Sequence, residues 1–340
     1  MQISTRHCIR KWACGLTTAA AIASANGTPC TPIEQAREGN YPGARIFDAF
    51  RISKPGQYCL SQDITSKRVF ATAEGGERAA NGPIGFVGAS GVDIDFRGHA
   101  LAADSLGTWG MDAGDTTGRL ITDIALHDGT IVSRTNGGVL LNGLFSFQLD
   151  QMVLEYFAKS PKLSNHSLFE KNIFKERLTW LRSPEDRDVF PNTNYRLERL
   201  RIEANNWAGI ELKGGSNTVR GNTISVNRVS GLVVWGPRQV IENNTIVFKG
   251  KPAAPNDAPI KLHLADNSII RNNTIVIEGW GDKPDAAISI IDSKNVVIEN
   301  NKIIGVKQLY KIWDEEPDQK SSVVEHGNEF ASGWSRLFGK

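Results

Sequence analysis

The stretch Ile270-Arg271-Asn272-Asn273-Thr274-Ile275 has three close copies in the second half of the chain, and their spacing decides the fold. The copies begin at Val219, Ile241 and Ile298, so the second asparagine position of the motif falls at 222, 244, 273 and 301. A motif that recurs roughly every 20–50 residues is the signature of a repeat protein. In an extended chain, the apolar residues two before and two after this asparagine point to the same side. An asparagine here suits a tight corner, and stacked asparagines can satisfy one another's hydrogen bonds.

Each corner is followed by a strand, a loop of variable length and a second alternating strand, which together make one turn of a β-solenoid. The second strands fall at 208–214, 231–236, 259–266 and 286–292. Weaker copies place further corners at 99, 129, 152, 200 and 328. The step from 152 to 200 is too long for one coil, so it predicts one coil with an insertion or two irregular coils. The sequence therefore predicts about nine coils stacked into a rod.

With these corners in place, the chain resembles the right-handed parallel β-helix proteins of the pectin-lyase-like superfamily over roughly residues 84–330. The segments Lys54–Leu60 and Val92–His99 are similar to the opening coil of many such proteins. The resemblance implies an all-β, right-handed parallel β-helix. It implies no single activity, because this superfamily contains lyases, hydrolases, esterases, epimerases and adhesive stalks.

The first 25 residues have the pattern of a secretory signal peptide, with a basic start, a moderately apolar run and a small-x-small site at 23–25. The alternative is an ordinary folded amino terminus. Cleavage after Ala25 would leave two cysteines, Cys30 and Cys59, which an oxidising compartment would allow to pair. We expect a secreted or periplasmic protein with this disulfide; the alternative is two reduced thiols.

The pattern predicts five parts: a signal peptide at 1–25, an amino-terminal cap at 26–82, a parallel β-helix at 83–330 with an insertion at about 155–194, and a tail at 331–340. Thr31 and Pro32 suit the start of a short helix within the cap. In the insertion, the capping box Ser167–Glu170 begins a helical pattern of roughly 167–182 that should lie outside the rod. The insertion either forms part of a binding face or shields one flank of the rod.

Composition excludes several classes of protein. The charged fraction of 22% and the formal net charge of +2 are ordinary, so a nucleic-acid partner is not expected. No apolar stretch is long enough to span a bilayer. We expect a monomer whose partner is a polysaccharide, most plausibly an acidic one.

Alignment of the second strands by their apolar positions separates inward from outward residues, because side chains alternate along a strand. One inward column is Ile210, Leu232, Ile260 and Ile288, and the next is Leu212, Val234, Leu262 and Ile290, with Val139 and Leu141 extending both. The first outward column is Leu140, Glu211, Val233, Lys261 and Ser289. The second outward column is Asn142, Lys213, Trp235, His263 and Ile291.

The resemblance implies that a substrate groove runs along this sheet. His263 or Lys261 would then be the base of a β-elimination, with Glu211 beside them, since a base works best with a pKa near the working pH. The substrate-binding candidates would neutralise a uronate or stack on sugar rings, and they are Lys213, Trp235, Asn142, Arg228, Trp207 and Trp280. Each of these residues also has a plainer interpretation as a solvated surface side chain.

Three functions stay open at this point. A polysaccharide lyase acting on acidic glycan is the leading hypothesis, and a non-catalytic glycan-binding or envelope scaffold protein is its rival. A glycoside hydrolase would need two suitably spaced carboxylates. Glu211 supplies one, and the second would come from Asp257, Asp266, Asp282 or Asp292. The signatures of polygalacturonases, alginate epimerases and pectate lyases are missing from the sequence. No cofactor is expected, although calcium assists several β-helix lyases.

Overall fold

A computed structural model describes residues 29–33, 39–41, 44–46, 50–66, 69–71, 77–79, 82–103, 108–114, 120–134, 136–141, 191–278, 283–314 and 320–331. Within these residues every regular element is a β-strand, and the two large sheets are built from parallel strands. The strands stack coil upon coil into a right-handed parallel β-helix, as the asparagine spacing predicted. No helix long and apolar enough to cross a membrane occurs in this part of the chain. The predicted helix at 167–182 and the signal peptide at 1–25 lie outside the described residues.

One wall of the rod is a parallel sheet of nine strands, one from each coil, in agreement with the predicted number of coils. In chain order its strands are Phe50–Ile52, Gly82–Val87, Thr108–Ala113, Val139–Leu141, Ile210–Lys213, Leu232–Trp235, Ile260–His263, Ile288–Ile291 and Tyr310–Ile312. We call it the nine-stranded sheet. The stack begins at Phe50, inside the segment that the sequence assigned to a cap.

The other walls form a second parallel sheet of 17 strands, which bends at the corners. Its strands are Thr31–Ile33, Gly56–Leu60, Ile64–Ser66, Val92–Asp95, Ala100–Ala103, Ile124–Ser133, Arg196–Ala204, Thr218–Arg220, Thr223–Val226, Val240–Glu242, Thr245–Phe248, Ile269–Arg271, Thr274–Ile277, Val296–Glu299, Lys302–Ile304, Val323–His326 and Glu329–Ala331. Two antiparallel pairs lie near the amino terminus, Gly39–Tyr41 with Ala44–Ile46 and Val69–Ala71 with Glu77–Ala79.

A buried ladder of asparagines joins the corners of successive coils. The Nδ2 group of Asn244 donates to Oδ1 of Asn273 at 3.0 Å and to the Val219 carbonyl at 2.9 Å, and Oδ1 of Asn244 accepts from the backbone and side chain of Asn222. Asn301 and Asn328 continue the ladder with the same contacts. Every side-chain polar atom of an inner rung therefore has a hydrogen-bond partner. A buried amide without such partners would destabilise the fold considerably.

The two asparagines of each motif have different tasks. The left-handed backbone conformation falls on the first one, with φ of 57° at Asn243, 54° at Asn272 and 54° at Asn300. The left-handed bend therefore falls one residue before the laddered asparagine. The first residue makes the bend because Asn and Gly tolerate positive φ, and the second satisfies the backbone groups that the bend leaves exposed.

The coil that the sequence predicted at position 152 lies outside the described residues, and the described strands on either side of it pair with each other. Ile124–Ser133 pairs directly with Arg196–Ala204, and Val139–Leu141 pairs directly with Ile210–Lys213. No strand can enter between partners that already share their ladder hydrogen bonds.

The amino-terminal segment is held to the first coils. Thr31–Ile33 is a strand that pairs with Tyr58, Cys59 and Leu60, so the short helix predicted at Thr31 is wrong. Pairing with an open strand edge satisfies this backbone better than an isolated helical turn would. Cys30 and Cys59 form the predicted disulfide, with their Cα atoms 5.8 Å apart.

A column of alternating charges runs along the outer face of the 17-stranded sheet. In register its members are Asp95, His127, Glu198, Arg220, Glu242, Arg271, Glu299 and His326. Glu242 contacts both Arg220 and Arg271, and Glu299 lies 2.8 Å from His326. Burial raises the pKa of Glu242, but hydrogen bonds from the two guanidinium groups outweigh it and hold that pKa below its usual value. Opposite charges on neighbouring strands thus favour the observed register.

Candidate functional site

The outer face of the nine-stranded sheet has the two columns that the sequence predicted. Glu211 pairs with Val233 and then Lys261, while Lys213 pairs with Trp235 and then His263. The inward residues between them are fully buried. Because side chains alternate along a strand, these residues lie on one surface. Asn142 and Trp280, two further candidates, lie outside the described residues.

Glu211 is fixed by two donors. The indole Nε1 of Trp207 donates to its Oε2 at 2.8 Å, and the Lys213 ammonium lies 3.1 Å from Oε1. Trp207 comes from the loop that precedes the strand, and its ring meets the edge of Trp109 at a centroid distance of 6.1 Å. Trp207 stays 44% exposed, so an aromatic surface remains open to a ligand beside the Glu211 carboxylate.

Asp112 is a member of the first outward column that the sequence analysis missed. It pairs with Leu140, which pairs with Glu211, so the two carboxylates lie two strands apart on the same face. Burial raises the pKa of Asp112, a hydrogen bond from the Ala113 amide opposes this, and the charge of Glu211 adds to it, so that the pKa is raised to about 7. Met111 stands 28 residues before Val139, the same step as from Ile260 to Ile288, and this spacing could have revealed the strand.

Neighbouring strands are about 4.8 Å apart, so the backbones at Asp112 and Glu211 are separated by about 10 Å. Carboxyl pairs of inverting glycosidases are roughly 6.5–9.5 Å apart, and those of retaining enzymes roughly 5–5.5 Å. This backbone spacing is wider than the separation in retaining enzymes and close to the upper end of the inverting range. The pKa of Asp112 is raised to about 7, which suits a general acid near neutral pH, and Glu211 faces the Lys213 ammonium.

The predicted base residues have other contacts. The Lys261 ammonium donates to Asn256 at 2.8 Å and to Asp257 at 3.1 Å, and Asp257 in turn accepts from the amides of Ala253 and Ala254. The His263 ring stacks on Trp235 with centroids 3.9 Å apart and planes at 10°. Lys261 and Glu211 do not form a pair with each other, because each has a nearer partner in its own coil.

Trp235 has neighbours on both of its faces. His263 covers one face, and the Lys213 ammonium lies 5.4 Å from the ring centroid. This stack covers much of a large outward aromatic side chain. A sugar ring would reach only the edge of Trp235, so Trp207 offers the better stacking surface. Arg228 is exposed on the loop before Leu232–Trp235.

A second polar cluster lies on the 17-stranded sheet, around a cavity of about 130 Å³ lined by Asp93, His127 and Arg199 among others. Asp95, His127 and Asp128 offer three ligand atoms within 4.8 Å of one another. Arg199 holds both carboxylate oxygens of Asp128 at 2.6 and 2.7 Å, and this contact lowers the pKa of Asp128 to about 2. A fixed guanidinium beside the cluster disfavours a divalent cation such as calcium.

The comparison with protein families agrees with this architecture. A family model described as a right-handed β-helix region matches residues 189–331. Those residues form the coils of the asparagine ladder. Among solved structures, the chain is similar to the enzymatically active domain of tailspike protein 2 from Bacteriophage CBA120, with 10% sequence identity and a TM-score of 0.43. The similarity covers 84% of this chain but 36% of the tailspike chain, so this protein spans about a third of that chain's length. No curated protein matches the sequence.

Proposed function

We propose that this protein binds a polysaccharide along the nine-stranded sheet and hydrolyses it with Asp112 and Glu211. The observation that carries the proposal is the placement of these two carboxyl groups in one outward column, with the pKa of Asp112 raised by burial and the Lys213 ammonium beside Glu211. Paired carboxyl groups of this kind are what glycoside hydrolysis requires. A glycoside hydrolase, which the sequence left open as an alternative, thus replaces the lyase as our leading hypothesis.

The roles follow from the surroundings of each group. Asp112, protonated near neutral pH, donates its proton to the glycosidic oxygen of the leaving sugar. Glu211, beside Lys213, accepts a proton from the water that attacks the anomeric carbon from the opposite face of the ring. One glycosidic bond breaks, one water is consumed, and the separation of the two groups supports inversion at the anomeric carbon.

Trp207 positions both the base and the substrate in this proposal. Its indole N–H donates to Glu211 and orients the carboxylate, while its exposed ring provides a stacking surface for a sugar next to the scissile bond. Trp109 packs against this ring in an edge-to-face arrangement. An aromatic platform beside a carboxylate is a common requirement for carbohydrate binding, because sugar rings have apolar faces.

A lyase on uronate glycan remains the second candidate. The observation that favours it is that Lys261 and His263 lie two residues apart on one strand, with both side chains on the outer face of the sheet. Both side chains already have close partners, which makes proton abstraction from a sugar less accessible to them.

A disulfide between Cys30 and Cys59 is compatible with a secreted or periplasmic location, which we propose for this protein.

The test is to incubate the protein with a panel of neutral and uronate polysaccharides and to follow new reducing ends, absorbance near 235 nm and the anomeric configuration of fresh products. We expect reducing ends without unsaturated products, with inverted configuration, and a loss of activity in Asp112→Asn and Glu211→Gln. Glu203→Gln, on the 17-stranded sheet, is the matched control that should keep full activity. A rise at 235 nm would favour the lyase, and bound polysaccharide without cleavage would favour the non-catalytic binding protein.

A further inference from the structure

Each lysine on the outer face of the nine-stranded sheet is paired with a carboxylate. Lys213 lies 3.1 Å from Glu211, Lys261 lies 3.1 Å from Asp257, and Lys311 contacts Asp285. The pairing occurs in three different coils and uses partners from the strand itself or from the preceding loops. The face therefore presents ammonium groups whose charge is already compensated.

Two of these pairs are largely removed from water. The side chains of Lys213 and Glu211 are 14% and 11% exposed, and those of Lys261 and Asp257 are 13% and 3% exposed. A uronate that recruited either lysine would have to leave a buried carboxylate without its counter-charge. Breaking a buried ion pair in this way is strongly unfavourable, so these lysines are poor receptors for an acidic sugar.

The Glu211 carboxylate adds to the same effect. A uronate bound next to Glu211 would place a second negative charge beside that carboxylate. Charges of one sign at short distance repel each other, and they would repel most where water is excluded. The aromatic surface of Trp207, by contrast, can stack on a sugar that carries no charge.

We infer that the polysaccharide taken by this sheet is neutral at the units bound between Asp112 and Lys261, rather than the acidic glycan that the lysines alone suggest. This inference rests on the proposed function, because it concerns the substrate of the same face. Recognition then comes from stacking on Trp207 and from hydrogen bonds to sugar hydroxyl groups. Binding of this kind depends little on ionic strength, since no net charge is transferred from water.

The experiment compares each uronate polymer with its own carboxyl-reduced form, which keeps the linkages and removes the charge. Polygalacturonate, alginate and their reduced neutral counterparts are tested together with neutral glucans, mannans and xylans, and binding to the Asp112→Asn variant is measured by calorimetry at low and high ionic strength. We expect a neutral polymer to bind at least tenfold more tightly than any uronate polymer, with less than a twofold change in affinity on adding salt.

Preferential binding of a uronate polymer, weakened by salt and lost in Arg228→Ala, would overturn the inference while leaving polysaccharide recognition in place. In that case the exposed loop arginine, and not the paired lysines, would be the receptor for the carboxylate. Failure of every polymer to bind would remove the proposed function together with the inference. The two failures are therefore distinguishable in one experiment.

Discussion

Asp112 and Glu211 lie on the same outward column of the nine-stranded sheet, with Leu140 between them, although the long segment 142–190 separates their strands in the chain. Their proximity depends on the direct pairing of Val139–Leu141 with Ile210–Lys213. Any coil inserted at this point would move the two carboxyl groups apart by a further strand spacing, about 4.8 Å. The register of Asp112, Leu140 and Glu211 therefore places the two carboxyl groups two strand spacings apart.

The pH dependence of cleavage should report Asp112. If Asp112 is the general acid, kcat/KM falls as pH rises through about 7, where its carboxyl group loses the proton that the leaving sugar needs. Asp112→Asn should lower kcat by about 10²–10⁴-fold. A pH–rate profile on a substrate with a good leaving group checks this, because such a substrate needs no acid and should be cleaved by the variant far better than ordinary glycan. An unchanged alkaline limb in Asp112→Asn would rule Asp112 out as the acid.

Asp112 should also make stability depend on pH. Its pKa is raised from 3.8 when unfolded to about 7 when folded, so the protonated form favours the folded state and this advantage is lost as pH rises from about 4 to 7. Asp112→Asn, which cannot ionise, should therefore raise Tm at pH 8 relative to the parent protein and have little effect at pH 4. Thermal unfolding at the two pH values provides the measurement. A lower Tm for the variant at pH 8 would contradict the assigned environment.

Trp207 and Trp235 should differ in what they contribute. Trp207→Ala should weaken polysaccharide binding about tenfold, or about 1.4 kcal/mol, since its ring is open to the ligand. Trp235→Ala should lower stability by about 1–2 kcal/mol and affect binding less, because His263 and Lys213 already cover its faces. Titration with the bound polymer and chemical denaturation of both variants separate the two effects. If Trp235→Ala lost more binding affinity than Trp207→Ala, Trp235 would be the stacking surface instead.

The asparagine ladder should be sensitive at its second position and tolerant at its first. Asn273→Ala removes the acceptor of two Asn244 donors and the donor to the Ile241 carbonyl, so it should cost about 2–4 kcal/mol of unfolding free energy. Asn272→Gly, at the neighbouring exposed position with φ of 54°, should stay within about 0.5 kcal/mol of the parent. Denaturant titrations of the two variants give the comparison. Equal costs would mean that the ladder contributes nothing specific.

Glu242 should stabilise the rod at neutral pH and cease to do so in acid. Its pKa lies below the unfolded value of 4.5, so its contribution is present above pH 4.5 and is lost as pH falls through the lower folded value. Because Arg220 and Arg271 are 51% and 41% exposed, solvent screens the pairs, and we expect Glu242→Gln to cost about 1–2 kcal/mol at pH 7. The difference from the parent should shrink at pH 3. Glu203→Gln, at an exposed pair with Arg201, should cost almost nothing.

Much of the fold followed from the sequence alone. The asparagine steps predicted parallel stacking, and the alternation of Ile210, Glu211, Leu212 and Lys213 predicted which side chains point away from the core. Both inferences rest on local periodicity, which a strand imposes on any sequence. Outward position did not imply contact with water, because Glu211, Val233, Ser289 and Ile291 are buried. The disulfide followed from the expectation that cleavage after Ala25 would leave Cys30 and Cys59.

What only the tertiary structure decided was the choice of partners. Asp112 belongs to the site because Val139–Leu141 pairs directly with Ile210–Lys213, and no local pattern predicts which strands of separate coils pair with each other. Lys261 pairs with Asp257, and Trp235 with His263, because loops and neighbouring strands bring these groups within a few ångströms of one another. Periodicity along one chain determines the face on which a side chain lies, whereas charge compensation and protonation depend on distances between coils, and those exist only once the coils are stacked.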